Sequence, residues 1–317
     1  MTTKEIYNLA INLGIEADLR GRQAVIEHQN YIKHKYRRLS KEDKANFDLE
    51  RLTNPYADSR LLVDNGRGDI KKILVGIDME GPELLAAKWL GDIDLVISHH
   101  PEGLGLAGLS EVMDLQADVL AQYGVPINIA ESVIRPRIEE VHRGVLPANH
   151  NRAVDMAKLL SLDYMCLHTP ADNLGARYLV DLIAKEESQL KRVGDLLKLL
   201  SSIPEYAQAM KYKAGPILFA GHKDSHCGRI AVTEFTGGTS GSKDIYEKMA
   251  NFGIGTVVGM HMSEEHRREA EKNHINVVIA GHMASDSLGM NLFLDKLEEQ
   301  GINVVPTSGL IRVKRPC

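Results

Sequence analysis

Apolar positions along the chain switch between helical and strand spacing. Ile6, Leu9, Ala10 and Leu13 share one face of a helix over residues 1 to 17. Residues 18 to 60 are polar and charged. They hold a run of Lys33, Lys35, Arg37 and Arg38, then Ser40 with Asp43 as a helix start. This run reads as a solvated helical face rather than a nucleic-acid patch. The pattern then changes. Lys72 to Ile77 predicts a strand, Asp78 to Gly81 a turn, and Leu84, Leu85, Ala87 and Leu90 a helix. A second strand, Asp94 to Ile97, runs into Ser98-His99-His100-Pro101. Strand–helix–strand is the grammar of a parallel sheet.

Helices are expected over residues 108 to 122 and 132 to 142, around a short strand from Pro126 to Ile129. A helix from Val154 to Leu160, an extended stretch from Tyr164 to Leu167 and a helix from Leu174 to Lys185 follow. Residues 186 to 213 are helical, with a new start at Ser202-Ile203-Pro204-Glu205, where capping-box spacing meets an early proline. The second half repeats the alternation: strand Arg229 to Phe235, loop Gly237 to Ser242, helix Lys243 to Asn251 and strand Thr256 to Val258. Then come a charged helix from Ser263 to Lys272, strand Asn276 to Ala280, a helix from Ser285 to Gln300 and a last strand from Val304. No Ser/Gly/Pro-rich linker divides the chain. The prediction is an α/β fold of two similar lobes: a helical N-terminal extension (1–60), an N-terminal α/β lobe (61–185), a helical connection (186–228) and a C-terminal α/β lobe (229–317).

Composition narrows the function. The 317 residues are 44% hydrophobic, enough for a sizeable core, yet no apolar run reaches the roughly 20 residues of a membrane span. The first residues lack the pattern of a signal peptide. Cys166, Cys227 and Cys317 are scattered, which argues against a disulfide framework or a cysteine-rich zinc site and fits a reducing cytoplasm. A net charge of -5 gives no electrostatic case for nucleic acid. Aromatics are only 5% of the chain, whereas there are 13 histidines.

Three places put His or carboxylate just past a predicted strand, where open α/β sheets form their sites. At the first, His99 and His100 would point to opposite faces inside a strand. Beyond its end, with Pro101 holding His100 extended, both can reach one polar site. At the second, His168-Thr169-Pro170-Ala171-Asp172, the two oxygens of Asp172 could bridge two cations, although capping of the helix from Leu174 is the simpler role for Asp172 or Asn173. At the third, Gly281-His282 precedes Asp286 by one helical turn, so the two side chains converge; a carboxylate stabilising the helix dipole is the alternative. Three imidazoles and two carboxylates suit two divalent cations held by nitrogen and oxygen. His168 could support Asp172 or line the pocket, or serve as a cap or core residue. The loop Gly237 to Ser242 lacks a Walker lysine and reads as a tight turn. His261 and His266 could approach the site entrance, but with Glu264 and Glu265 they read more simply as a solvated helix.

These motifs also carry a resemblance. The stretch from Ile73 to Asp78, followed by Asp94 to Pro101, resembles the signature of the Nif-three-like dinuclear metal-centre family, named for an NGG-one-interacting factor and sometimes labelled GTP cyclohydrolase I type two. Its second motif appears as His168-Thr169-Pro170-Ala171-Asp172 and its third as Gly281-His282 with Asp286, in family order, over roughly residues 70 to 317. The resemblance implies two α/β lobes around a shared metal-binding cleft, with His99, His100, Asp172, His282 and Asp286 holding two divalent ions (zinc, iron or manganese). It also implies a toroidal homo-hexamer. The family's last ligand is usually Glu, one methylene longer than Asp286, and Pro170-Ala171 replaces Asn-Leu in the middle motif. Residues 1 to 60 have no evident counterpart. The function expected is a metal-dependent hydrolase of cyclohydrolase or phosphoesterase type, acting through a metal-bound water on a small phosphorylated or heterocyclic compound. A non-catalytic scaffold, metal chaperone or regulatory interaction protein is the alternative.

Overall fold

Short apolar runs form the strands, each flanked by the turn residues that end it. The computed structural model describes residues 1–315; Cys317 lies outside the described residues. The strands are β1 (Arg60–Val63), β2 (Lys72–Gly76), β3 (Leu95–Ser98), β4 (Asp163–Cys166), β5 (Ile217–Ala220), β6 (Arg229–Val232), β7 (Ile254–Gly259), β8 (Asn276–Ile279) and β9 (Asn303–Pro306). The helices before β2 are α1 (Thr3–Ala17), α2 (Arg22–Arg38) and α3 (Lys41–Ala45). Those from β2 to β4 are α4 (Gly81–Leu90), α5 (Leu104–Ala107), α6 (Asp114–Gln122), α7 (Ile127–Val145) and α8 (Arg152–Leu160). Between β4 and β5 lie α9 (Thr169–Glu186), α10 (Val193–Ser201) and α11 (Pro204–Lys211). The second lobe adds α12 (Ile245–Asn251), α13 (Glu264–Lys272) and α14 (His282–Glu298).

The strands make two sheets, ordered β1-β4-β3-β2-β9 and β5-β8-β7-β6. In the first, β4, β3, β2 and β9 run parallel and β1 is an antiparallel edge. In the second, β8, β7 and β6 run parallel and β5 is the antiparallel edge. The two sheets therefore share one topology, with β1 matching β5, β4 matching β8, β3 matching β7 and β2 matching β6. The expectation of two similar α/β lobes is met.

The structure redraws several sequence boundaries. Ile217–Ala220, inside the expected helical connection, is the edge strand of the second sheet. Asn303–Pro306, expected to close the C-terminal lobe, pairs with β2 in the first sheet instead. The strand expected from Pro126 to Ile129 is absent: Pro126 is the N-cap of the long helix α7, a place where its missing amide hydrogen costs no helical hydrogen bond. A new helix does begin at Pro204, but the Ser202 hydroxyl donates to the Leu199 carbonyl rather than capping it. Helix α9 starts at Thr169, five residues before the expected Leu174, so Asp172 lies inside its first turn.

The main core runs between the lobes. Leu179 and Ala176 of α9, Leu288 and Leu294 of α14, and Ile6 and Ala10 of α1 are all buried in it. Each such leucine or isoleucine side chain contributes about 1.5–3 kcal/mol on burial. Helix α9 packs on both α14 and α1. The N-terminal ends of α9 and α14, each following the parallel strand beside its sheet's antiparallel edge, thus meet where the two lobes join.

Candidate metal centre

The repeat places the same chemistry twice. Strand β4 leads into His168 with Asp172 four residues later, and β8 leads into His282 with Asp286 four residues later. In each case the His opens the helix and the Asp falls on the same helical face. Strand β3 supplies the adjacent pair His99-His100. It ends at Ser98, so the two rings escape the strict alternation of a strand and both turn to Asp286. His99 Nε2 lies 3.6 Å from Asp286 Oδ1, and His100 Nε2 lies 3.5 Å from Asp286 Oδ2. His99 Nε2 is also 3.4 Å from Asp172 Oδ1, and His168 Nε2 is 3.7 Å from Asp172 Oδ2. His282 Nε2 is 3.5 Å from Asp286 Oδ2. The carboxylates of Asp172 and Asp286 each spread two oxygens between imidazoles of different segments.

Every one of the three central rings is fixed by its far nitrogen. His99 Nδ1 donates to the Leu167 carbonyl at 3.1 Å, His100 Nδ1 to Asp78 Oδ1 at 2.6 Å and His168 Nδ1 to Asp58 Oδ2 at 2.8 Å. These partners accept, so each Nδ1 carries a proton and each Nε2 is the atom turned inward, with a lone pair to offer once the ring is neutral, as in metal-binding histidines. Asp58 is itself held by the Thr169 hydroxyl at 2.6 Å.

Burial makes this arrangement costly without a cation. His99 is 0% exposed, Asp172 4% and Asp286 1%. His99 Nε2, Asp172 Oδ1 and both oxygens of Asp286 are buried with no hydrogen-bond partner. Buried, unpaired polar atoms of this kind cost several kcal/mol in total unless something satisfies them. Among the described residues, two overlapping sets of donor atoms have metal-site spacing: His99, His168 and Asp172, and His99, His100 and Asp286. A positive ion is the group that lone pairs and carboxylate oxygens converging on one point can all accept, so the residues present fit it.

The titration of the groups reflects the same geometry. Burial alone would depress His168, but Asp172 and Asp58 outweigh it and raise it to about 9. Burial pushes Asp172 up to about 6 against the pull of His168 and His99, with Asp286 adding to the rise. Burial would also raise Asp286, yet His99 and His100 hold it well below the ordinary carboxylate range. His282 drops to about 4 because it is desolvated among other imidazoles.

The sequence candidates separate here. His99, His100, Asp172 and Asp286 come together, and His282 borders them, its side chain 38% exposed. His168 lies in the cluster itself rather than behind it. His261 lies two residues past the end of β7, much as His99 follows β3. Its ring sits 4.6 Å from that of His282, and its Nδ1 is 3.3 Å from the Ser240 hydroxyl. His266 does not reach the cluster and is not on a solvated face. It is buried, with Nε2 donating to the Gly241 carbonyl at 3.0 Å and Nδ1 beside the Ser263 hydroxyl. The Gly237 to Ser242 segment is a bending loop without helix or strand, pinned by Gln116 through the carbonyls of Gly237 and Thr239. Asp58 and Asp78 were missed as partners. Asp78 follows β2 and was legible as a strand-end carboxylate, whereas Asp58 lies in a stretch that reads as solvated.

Comparison with known proteins gives a consistent picture. The family model described as Duf34/NIF3 (NGG1p interacting factor 3) matches residues 49–308, beginning well before the resemblance at residue 70. A NIF3 superfamily protein from Sphaerobacter thermophilus has a similar structure, with a TM-score of 0.79 at 28% identity; the alignment covers 98% of this chain and 99% of that one. Reduced HcgD from Methanocaldococcus jannaschii aligns with a TM-score of 0.49 at 15% identity, over 84% of this chain and 94% of its own. No curated protein matches.

Proposed function

The chain belongs to the Duf34/NIF3 family, and from that premise and its unpartnered buried donors we propose that it binds two divalent ions and acts as a metal-dependent hydrolase. The observation that carries the reading is the set of orphaned atoms on His99, Asp172 and Asp286. One ion would be held on the side of His168 and Asp172, the other by His100, Asp286 and His282. His99 Nε2 lies within reach of both groups and, having one lone pair, would ligate one of the two ions; zinc, iron and manganese all suit these donors. This reading moves His168 from a supporting role into the ligand set. Bound ions of this type supply Lewis acidity, which lowers the pKa of water and offsets negative charge on a substrate oxygen.

The chain's own residues do the rest. Asp58, Asp78 and the Leu167 carbonyl hold three imidazoles as neutral ligands. The half-exposed rings of His100 and His282 form the solvent side of the centre, so a substrate would approach there. A site this recessed suits a small phosphorylated or heterocyclic compound better than a polymer. The family resemblance further suggests a homo-oligomer, a hexamer, and the buried, unpaired Cys166 and Cys227 are in keeping with a cytoplasmic protein. Among the described residues no helix is long and apolar enough to cross a membrane.

The test is metal analysis of the purified chain followed by assay against phosphoesters and cyclic amidines. Turnover that needs metal and vanishes in His99→Ala and Asp172→Ala supports the hydrolase. Full metal loading without turnover, in an oligomer that falls apart with the same substitutions, would replace it with the scaffold reading. Less than about one ion per chain would remove both.

A further inference from the structure

We infer that helix α1 is part of the metal centre: through Gly14 and Asn173 it fixes the turn that carries Asp172, which makes both residues positioning residues for one of the two ions. The inference rests on the two-ion reading above. It concerns a segment outside the matched span, since α1 covers Thr3–Ala17 and the family match begins at residue 49.

The turn from Thr169 to Asp172 is held between two helix backbones. On one side, a Cβ on Gly14 would sit 2.7 Å from both Cα and Cβ of Pro170. On the other, a Cβ on Gly289 of α14 would collide with the carbonyl oxygen of Ala171. Glycine at each position lets the backbones touch, so the turn can shift toward neither helix. Pro170 and Ala171 are the two residues at which this chain departs from the family's middle motif, and each meets a glycine.

Asn173, next to Asp172, ties the turn to three further segments. It is fully buried. Its amide hydrogens face the Gly14 carbonyl at 3.1 Å, the Tyr56 hydroxyl at 3.1 Å and Asp18 Oδ2 at 3.3 Å. Its Oδ1 accepts from the Thr236 hydroxyl at 2.5 Å. Tyr56 in turn donates to Asp18 Oδ2 at 2.9 Å, and Arg20 clasps the same carboxylate. One side chain thus joins the end of α1, the first lobe and the loop after β6 in the second lobe. Groups that orient a metal-ligating residue in this way change metal affinity about 10- to 100-fold when removed.

The effect must be one-sided. Asp172 belongs to the set with His99 and His168, whereas the set of His99, His100 and Asp286 does not include it. Metal-free full-length chain is titrated with Co2+, reading visible absorption and ions bound per chain. Wild type is expected to take two. Gly14→Ala and Asn173→Ala are expected to lose about 10- to 100-fold in affinity for one ion and to bind the other as wild type does. Asn173→Ala introduces no clash and serves if Gly14→Ala does not fold, as judged by circular dichroism. Two ions bound as in wild type, with only the melting temperature of the metal-free chain lowered, would reduce α1 to packing and overturn the inference. Equal weakening of both ions would overturn it as well. A wild type that takes up no Co2+ fails the metal reading itself, and this inference with it.

Discussion

Asp58 accepts a hydrogen bond from Nδ1 of His168 at 2.8 Å, and Nε2 of the same ring faces Asp172 at 3.7 Å. Carboxylate, imidazole and carboxylate stand in line, which fixes the tautomer of the central ring and strengthens it as a ligand. Asp58→Asn keeps the shape and removes the charge. Metal affinity is expected to fall about 10- to 100-fold, measured by competition with a chelator. An unchanged affinity would mean that the pair serves only the fold.

The pH dependence has a defined sign. His168 titrates near 9 in the folded metal-free chain, above the ordinary 6.5, because Asp172 and Asp58 overcome the effect of burial. Its ion pairs stabilise fully below about 6.5 and their contribution is lost as pH rises through about 9. Asp172 is raised from 3.8 to about 6, so its neutral form favours the fold and this term also declines as pH rises across that lower window. The melting temperature of the metal-free chain should therefore fall between about pH 6.5 and 9. Over the same range metal affinity should rise, because binding displaces the proton from His168. Thermal melts with and without chelator read both trends, and a flat pair of curves would contradict them.

His99 belongs to both donor sets. His99→Ala removes a ligand and leaves a gap beside both Asp172 and Asp286, so it is expected to lower the ions bound per chain more than His282→Ala, at the partly exposed border. Elemental analysis of the purified variants decides; equal losses would argue against His99 as the more central ligand.

Gly289→Ala would press a methyl group into the Ala171 carbonyl, between the two helices that carry Asp172 and Asp286. The cost is expected to be about 1–3 kcal/mol in urea unfolding, the usual range for overpacking. The smaller the measured loss, the more freely α9 and α14 can separate.

Burial pushes the Cys166 thiol up to about 12 and that of Cys227 to about 11. Both should therefore resist thiol reagents in the native state. In a Cys317→Ser variant, no labelling before denaturation and two equivalents after it are expected. Rapid native labelling would show that the lobes open.

The local readings that held are those in which a strand ends in chemistry. The run Leu95 to Ser98 stops at His99, and Asn276 to Ile279 leads to His282, because strand ends need only neighbouring residues to be recognised. The half-site on α14 was legible for the same reason: His282 and Asp286 are one helical turn apart. The short strands β1 and β5 were not legible, since an antiparallel edge gains its stability from the strand beside it and leaves a weak pattern of its own. Pro126 and Thr169 were misjudged because helix starts depend on which amides remain unpaired once the chain is folded.

By itself the sequence determined the alternating α/β pattern and the two-lobe plan, and it offered as site candidates His99, His100, Asp172, His282 and Asp286, of which the fold gathers four with His282 at their border. Tertiary structure alone decided that His168 joins them, that His266 turns away, and that Asp58 stands behind His168. It also decided that β9 returns to the first sheet and that α1 lies against the turn of Asp172. The reason is range. Spacing along a chain reports contacts within a turn or a strand, whereas these relations join residues from tens to more than a hundred positions apart, through buried hydrogen bonds and backbone contacts that only packing creates.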